Sequence, residues 1–285
     1  MDISTYIKND CLIIDMKYDK DFEQGFFLTS DEHFDSKKCD RKTLKRHYQQ
    51  AKDKGWKIMN FGDWYDCMGG KFDKRTSKKD IRPEYNEGWY FDEIRKDAVK
   101  FLKPFSSNLV LFSEGNHEIS VKQRHEFSLT EQTLYQLNKI EGNNIHLGKY
   151  QGWMRFLFTH KAGGGGLSYD MFYTHGTGGN APVTRGAIQS ARRQDMVRAD
   201  FYVSGHIHTS YELPRPTMYL NKQGNEKMVE CEHLQLGTYK QSWGGAWESQ
   251  KGFSPAIIGG RALIFYHDSS DANKRIKYKT YRVKK

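Results

Sequence analysis

Three apolar runs in the first half of this chain each stop in a polar cluster: FFLTSDEH (residues 26–33), WKIMNFGD (56–63) and NLVLFSEGNHE (108–118). Between them lie stretches of helical character. RKTLKRHYQQAK (41–52) is rich in helix formers, and FDEIRKDAVKFL (91–102) sets Phe91, Ile94, Ala98, Val99 and Leu102 on one face. Strand alternating with helix implies α/β units and a partly parallel sheet. In such sheets functional groups collect just past the carboxyl ends of the strands, which is where all three polar clusters fall.

Beyond residue 144 the strands shorten. WMRFLFTH and YDMFYTH flank KAGGGGLS, a hairpin loop marked by four glycines. A helix is expected from about Arg185 to Arg198, then ADFYVSGHIH, then further β-structure in EKMVECEHLQL, RALIFYH and RIKYKTYRV. No repeat or low-complexity linker interrupts the 285 residues, so a single domain over 1–285 is expected. Residues 64–86 form a long charged insertion beside the second cluster, and long loops of this kind are often functional.

Composition narrows the partners. Lys and Arg outnumber Asp and Glu by 45 to 35, giving a net charge of +10 and favouring an anionic partner such as nucleic acid or a phosphorylated metabolite. Cys11, Cys39, Cys67 and Cys231 are scattered without a C-x-x-C pair, which reads as a reduced, cytoplasmic chain with no disulfide framework. Cys67 and Cys231 read as packed small residues rather than ligands. No apolar stretch approaches the ~20 residues needed to span a bilayer, and no membrane partner is expected.

The polar clusters, taken together, are Asp31-x-His33, Gly62-Asp63-x-x-Asp66, Gly115-Asn116-His117-Glu118, His175-Gly176 and Gly205-His206-x-His208. Asp, His and Asn form a ligand set suited to Mn²⁺, Fe or Zn. In Asp31-x-His33 and His206-x-His208 the i, i+2 spacing can aim both side chains at one spot if the backbone is extended. Alone, a D-x-H is commonly a turn, and GNHE is commonly a helix start capped by Asn. Five such clusters in order, each ending a strand, outweigh those readings. His160 also ends a strand. His175 is preferred because Gly176 follows it and a helix–strand unit leads on to His206, which leaves His160 as a hairpin-turn histidine.

This order of motifs, D-x-H, G-D-x-x-D, G-N-H-E, H-G and G-H-x-H, resembles the calcineurin-like metallophosphoesterase superfamily over about residues 26–210. The resemblance implies a four-layer α/β/β/α sandwich with mixed sheets and two divalent metal ions at one edge. It implies one ion held by Asp31, His33, Asp63 and His208. The second would be held by Asp63, Asn116, His175 and His206, with Asp63 bridging. Mn²⁺ is the expected metal, with Zn²⁺, Fe²⁺ and Ni²⁺ as alternatives. Two cations ~3.5–4 Å apart can lower the pKa of a bridging water and clamp the attacking and leaving oxygens of a phosphoester. His117, next to ligand Asn116, would donate a proton to the leaving group. Asp66 corresponds to the family carboxylate that orients this imidazole.

Departures from the family narrow the substrate. In phosphoprotein phosphatases, arginines clamp a phosphomonoester. Here Cys67 and Glu114 stand at those positions, and Phe34 stands where glycine would follow D-x-H. The leading expectation is a phosphodiesterase or nuclease acting on nucleic acid, DNA or RNA, or on nucleotides. A phosphomonoesterase or cyclic-nucleotide phosphodiesterase on small substrates is the second. A non-catalytic nucleic-acid-binding module is the third. Lys71, Lys74, Arg75, Lys78 and Lys79 are candidates to track a phosphate backbone. Tyr239, Trp243, Trp247 and Phe253 are candidates to stack on bases, and Arg185, Arg192 and Arg193 to add positive field. The basic set reads equally as a solvated charged loop; the aromatics read more readily as packing their loop onto the domain, and the arginines alternatively as covering the outer face of their helix. The sequence does not specify an oligomeric state.

Overall fold

The computed structural model describes residues 3–70, 80–85, 89–163, 166–179, 181, 183–242, 255–270 and 275–284. Strands β1 (Ile3–Lys8) and β2 (Cys11–Tyr18) form an opening hairpin. They are followed by β3 (Glu23–Thr29), α1 (Arg41–Asp53), β4 (Lys57–Asn60), α2 (Tyr90–Leu102), β5 (Leu109–Ser113), α3 (Asn116–His125), α4 (Leu129–Leu137) and β6 (His146–Gly148). The second half contains β7 (Gln151–His160), β8 (Leu167–Thr174), α5 (Ala187–Met196), β9 (Phe201–Ser204), β10 (Tyr211–Leu220), β11 (Glu226–Gln235), β12 (Arg261–His267) and β13 (Ile276–Arg282).

Two mixed sheets result. One has six strands in the order β13-β12-β3-β4-β5-β6, with β3 to β6 parallel. The other has seven, β1-β2-β7-β8-β9-β11-β10. The expected mixed-sheet α/β sandwich is therefore present. Phe26, Phe156, Phe158, Tyr169, Phe201 and Phe265 interlock between the sheets, with Phe265 touching the other five rings at centroid distances of 4.9–6.0 Å. A buried side chain of this size contributes about 1.5–3 kcal/mol. On the outer face of the six-stranded sheet, α1 and α2 bury Leu44, Tyr48, Ile94, Ala98 and Leu102 around Trp64 and Phe105. The opposite outer layer is thin: α5 buries only Ser190, and Phe172, Ala199, Tyr202 and Cys231 make a small cluster there.

The sequence pattern does not reveal β10, which carries Pro214 and Pro216. It is the edge strand of its sheet, the place where missing N–H donors are tolerated. Helix α5 is also shorter than expected at both ends. Among the described residues no helix is long and apolar enough to cross a membrane.

Candidate metal centre

Strands β3, β4 and β5 lie side by side and stop together, so residues 30–35, 61–66 and 114–118 share one edge of their sheet. From the other sheet, β8 and β9 are parallel neighbours and end beside them at Thr174 and Ser204. Backbone hydrogen bonds stitch these ends: Asp31 N–H donates to Gly62 O (3.0 Å), His33 N–H to Asp63 O (3.1 Å) and Gly205 N–H to His175 O (3.0 Å). The clusters therefore converge.

Extended-chain alternation does not aim the paired ligands. Thr29 ends β3 and Ser204 ends β9, so both D-x-H and H-x-H lie in turns. Asp31, His33, Asp63, His206 and His208 have φ of 57°, 47°, 54°, 73° and 53°. Left-handed backbone at a non-glycine residue is disfavoured, costing about 1–3 kcal/mol at each position. Such strain persists where surrounding contacts hold it, and here it falls on five of the seven candidate ligand positions. The neighbouring glycines serve close approach: a Cβ on Gly115 would sit 2.1 Å from Asp63 Oδ1, and one on Gly205 2.0 Å from Ser30 Oγ.

Among the described residues, three groups of ligand atoms form within this pocket: Asp31, His33 and His208; His33, Asp63 and His117; and Asp63, His175 and His206. His33 Nε2 and His208 Nε2 face each other at 3.1 Å, with Asp31 Oδ1 3.3 Å from the latter. His175 Nε2 lies 3.1 Å from Asp63 Oδ2 and 3.9 Å from Asp31 Oδ1. His206 Nδ1 is 2.8 Å from Asn116 Oδ1. Asp63 belongs to two of the groups, as a bridging carboxylate should. His160 is elsewhere, with its Nδ1 accepting from Ala162 N–H and its ring against Tyr18.

The chemistry of this donor set fits divalent cations. Asp31 Oδ1 and His175 Nε2 are buried without a hydrogen-bond partner, although each has other ligand atoms within 4 Å. Orphaned buried polar atoms are costly and call for an explanation, such as an ion. The far nitrogen of His175 donates from Nδ1 to Phe61 O (2.9 Å), which leaves Nε2 to face the pocket, the usual outer-shell arrangement of a ligand histidine. Burial would raise Asp31, but His175 and His208 overcome it and bring its carboxyl down to about 2. Asp63 is likewise lowered well below the usual range, by His175 and His117 against burial. Burial, then the Lys240 ammonium, takes His33 down to about 4, leaving a lone pair free at neutral pH. His175 is pushed up to about 10 because Asp63 and Asp31 outweigh its burial. In the absence of cations, a proton on His175 balances the two carboxylates.

His117 starts α3, with its backbone N–H on Asp63 Oδ1 (3.0 Å) and its Nε2 3.8 Å from Asp63 Oδ2. The sequence assigns its orientation to the Asp66 carboxylate, but in the structure the Asp66 carbonyl takes that role, 2.5 Å from His117 Nδ1. The Asp66 carboxylate is turned away, 3.9 Å from His117 Nδ1 and 2.8 Å from His33 Nδ1. The Asp66 carboxylate is engaged instead by Lys240 Nζ (2.6 Å) on its His33 side, which leaves the carbonyl to meet His117.

Three groups are missed by sequence reasoning. Glu118, the last residue of GNHE, accepts from the backbone N–H groups of Asp63 (3.1 Å), Tyr65 (2.8 Å) and Gly115 (2.9 Å). Asp35 does the same for Asp66 (2.6 Å) and Cys67 (3.1 Å) and also receives the Tyr90 hydroxyl. Lys240 reaches the site from beyond β11. Glu118 could have been found from its place in the motif; Asp35 and Lys240 carry no local signal.

Other candidates fare differently. Tyr239 is fully buried and donates to or accepts from His47 Nδ1 at 2.8 Å, so it packs the core and does not stack on a ligand. Trp243, Trp247, Phe253, Lys71, Lys74, Arg75, Lys78 and Lys79 lie outside the described residues. Arg185 and Arg192 are exposed, and Arg193 bonds Ser190 Oγ at 3.1 Å. Cys67 and Cys231 are buried free thiols, in keeping with packing roles. Neither position of the absent phosphate clamp supplies a cation: Glu114 accepts from Ser128 (2.7 Å) and pairs with Lys122 (3.5 Å).

Fold and site define a class: a two-sheet α/β sandwich with grouped Asp and His side chains able to hold divalent cations at its edge. No family model matches the sequence, and no curated protein matches it either. Solved structures do resemble the fold. GAP50, described as the anchor in the inner membrane complex of Plasmodium, is 13% identical with a TM-score of 0.44, covering 92% of this chain and 90% of its own. A metallophosphoesterase from Sphaerobacter thermophilus is 12% identical with a TM-score of 0.39, covering 92% and 89%. Vps29 from Chaetomium thermophilum is 8% identical with a TM-score of 0.34, covering 91% and 95%.

Proposed function

We propose that the chain is a metal-dependent phosphodiesterase or nuclease acting on nucleic acid or nucleotides. The observation that carries this is the convergence of Asp31, His33, Asp63, Asn116, His175, His206 and His208 on one pocket, with Asp31 Oδ1 and His175 Nε2 left without partners. Asp31, His33, Asp63 and His208 would hold one cation, and Asp63, Asn116, His175 and His206 the other. Mn²⁺ is the first choice by ligand type. When bound, such ions supply Lewis acidity, lowering the pKa of water and shielding phosphate charge.

The chain's own residues supply the rest. The Asp66 carbonyl accepts a hydrogen bond from Nδ1–H of His117, so the proton delivered to a leaving oxygen must come from Nε2, the nitrogen beside Asp63. Asp63 N–H, Tyr65 N–H and Gly115 N–H, gathered by Glu118, keep Asp63 and the start of α3 in register for that transfer. A diester is favoured over a monoester because Cys67 and Glu114 replace the arginine fork that would grip a dianion. The net charge of +10 favours a polyanionic substrate.

The test compares bis-p-nitrophenyl phosphate with p-nitrophenyl phosphate under Mn²⁺, alongside labelled single- and double-stranded DNA. Faster diester turnover and release of nucleotides are expected. A preference for the monoester would move the activity to the phosphomonoesterase class, and no hydrolysis with any divalent metal would remove the catalytic reading. Replacing His117 with Ala should leave metal binding intact and cost about 10²–10⁴-fold in turnover of nucleic acid. It should cost far less with p-nitrophenolate, which leaves without protonation.

A further inference from the structure

The ion pair between Lys240 and Asp66 is buried at the edge of the pocket. Lys240 Nζ donates to Asp66 Oδ1 at 2.6 Å, and the two side chains are 14% and 2% exposed. The same oxygen lies 2.8 Å from His33 Nδ1, the nitrogen of that ring pointing away from the cation pocket. His33 Nδ1 is close to this oxygen but makes no hydrogen bond, whereas Lys240 Nζ donates one to it. One carboxylate oxygen is therefore shared, and the lysine has the firmer hold on it.

The backbone beneath Lys240 is fixed from both sides of the first ligand loop. Ahead of it, Tyr239 N–H (3.0 Å) and Thr238 Oγ1 (2.6 Å) both donate to Asp31 O. Around it, Lys240 N–H donates to Thr238 Oγ1 (2.9 Å), Gln241 N–H to Lys38 O (3.0 Å) and Asp40 N–H to Tyr239 O (2.8 Å). A surface lysine needs no such mooring. This one is delivered to a set place, and its charge offsets the cost of burying Asp66 beside two imidazoles.

We propose that Lys240 is a positioning residue: it fixes the Asp66 carboxylate against His33 Nδ1, so that His33 presents Nε2 to the cation it would share with Asp31 and His208. This rests on the two-cation reading of the site. Without the ammonium, no other described side chain draws Asp66 Oδ1 toward His33 in preference to His117, whose Nδ1 is 3.9 Å from the same oxygen. Outer carboxylates on ligand histidines set ring orientation and ligand basicity, and their loss costs ~10–100-fold in metal affinity. Lys240 would govern that affinity for one of the two ions only.

Chelator-stripped protein titrated with Co²⁺, followed by calorimetry and by visible absorption, reads this directly. Wild type is expected to take up two ions in resolvable steps. Lys240→Met should weaken one step by about tenfold or more, with a changed absorption band, and leave the other step unaltered. Asp66→Asn should weaken the same step, and Lys240→Arg should restore it to within about threefold, because a cation again meets the carboxylate. If Lys240→Met folds poorly, the Asp66→Asn and Lys240→Arg titrations decide. Wild-type affinity at both steps in Lys240→Met or Asp66→Asn overturns the inference while leaving the two-cation reading intact. Equal weakening of both steps with a lowered Tm also overturns it, since that marks general loss of structure. Failure of wild type to bind Co²⁺ overturns both.

Discussion

On the six-stranded side of the site, the ligand loops hang from buried carboxylates: Glu118 gathers N–H groups of Asp63, Tyr65 and Gly115, and Asp35 those of Asp66 and Cys67. On the seven-stranded side, the loop carrying His206 and His208 is anchored differently. His206 N–H donates to Asp31 Oδ2 (2.8 Å), Gln235 Nε2 to Gly205 O (2.7 Å) and Ile257 N–H to His208 O (3.1 Å). One half is largely self-supporting, although Asp31 O also accepts from Thr238 and Tyr239 beyond β11, while the other takes its register partly from a ligand of the first. Asp31 acts twice, offering Oδ1 to the pocket and Oδ2 to the opposite loop. A polar site assembled from two sheets needs such a tie, because the apolar layer between them specifies separation better than it specifies register.

The comparison breaks most completely at Asp63, which serves both halves. Asp63→Asn removes the shared charge, and turnover should fall by more than ~10²-fold, beyond the loss typical of outer-shell changes, with loss of bound metal. Elemental analysis beside a rate assay checks this, and undiminished metal content would separate Asp63 from the cation site.

The next largest effect is on the self-supporting half. Glu118→Ala strands three buried N–H groups, each worth about 1–3 kcal/mol when left unsatisfied. Denaturant unfolding should register a loss of several kcal/mol. Hydrogen exchange should rise first at Asp63, Tyr65 and Gly115, ahead of Gly205–His208. Uniform exchange across both halves would contradict the asymmetry.

A smaller effect separates the halves by pH. Asp31, held at about 2, binds its proton more weakly folded than unfolded, so its stabilisation is present above about 4 and lost as the pH falls toward 2. His175, raised to about 10, works in the opposite sense: its stabilisation is full below about 6.5 and lost as the pH rises through 10. Glu32 and Glu118, each pushed up to about 8 by burial, lower stability as the pH climbs from about 4.5 to 8. A divalent cation bound as proposed would replace the proton on His175. Added Mn²⁺ should therefore flatten the fall between about 6.5 and 10. Tm profiles with Mn²⁺ and with EDTA check this, and identical alkaline limbs would show that His175 does not meet the ion.

Much of the site is legible in the sequence because ligand chemistry is local: D-x-H, GNHE and G-H-x-H name their residues, and strands that end together place them. What holds those residues is not local. Five ligand positions adopt left-handed backbone, which Asp and His enter more readily than most residues but which the motifs do not assign to particular positions, and extended-strand alternation gives the wrong reason for their convergence. Asp66 illustrates the limit: its proximity to His117 follows from spacing, but Lys240, 174 residues away, shares its carboxylate with His33. Tyr239 looks like a loop aromatic in a glycine-rich stretch and proves to be core, because His47 on α1 receives its hydroxyl. Strand β10 is hidden by its prolines, which only an edge position accommodates.

The central claim is that loops from both sheets build one cage for a pair of divalent ions. Its most direct test is the count of ions retained by metal-stripped protein after equilibration with Mn²⁺ and gel filtration. Two per chain is the expected result; one or none would contradict the account.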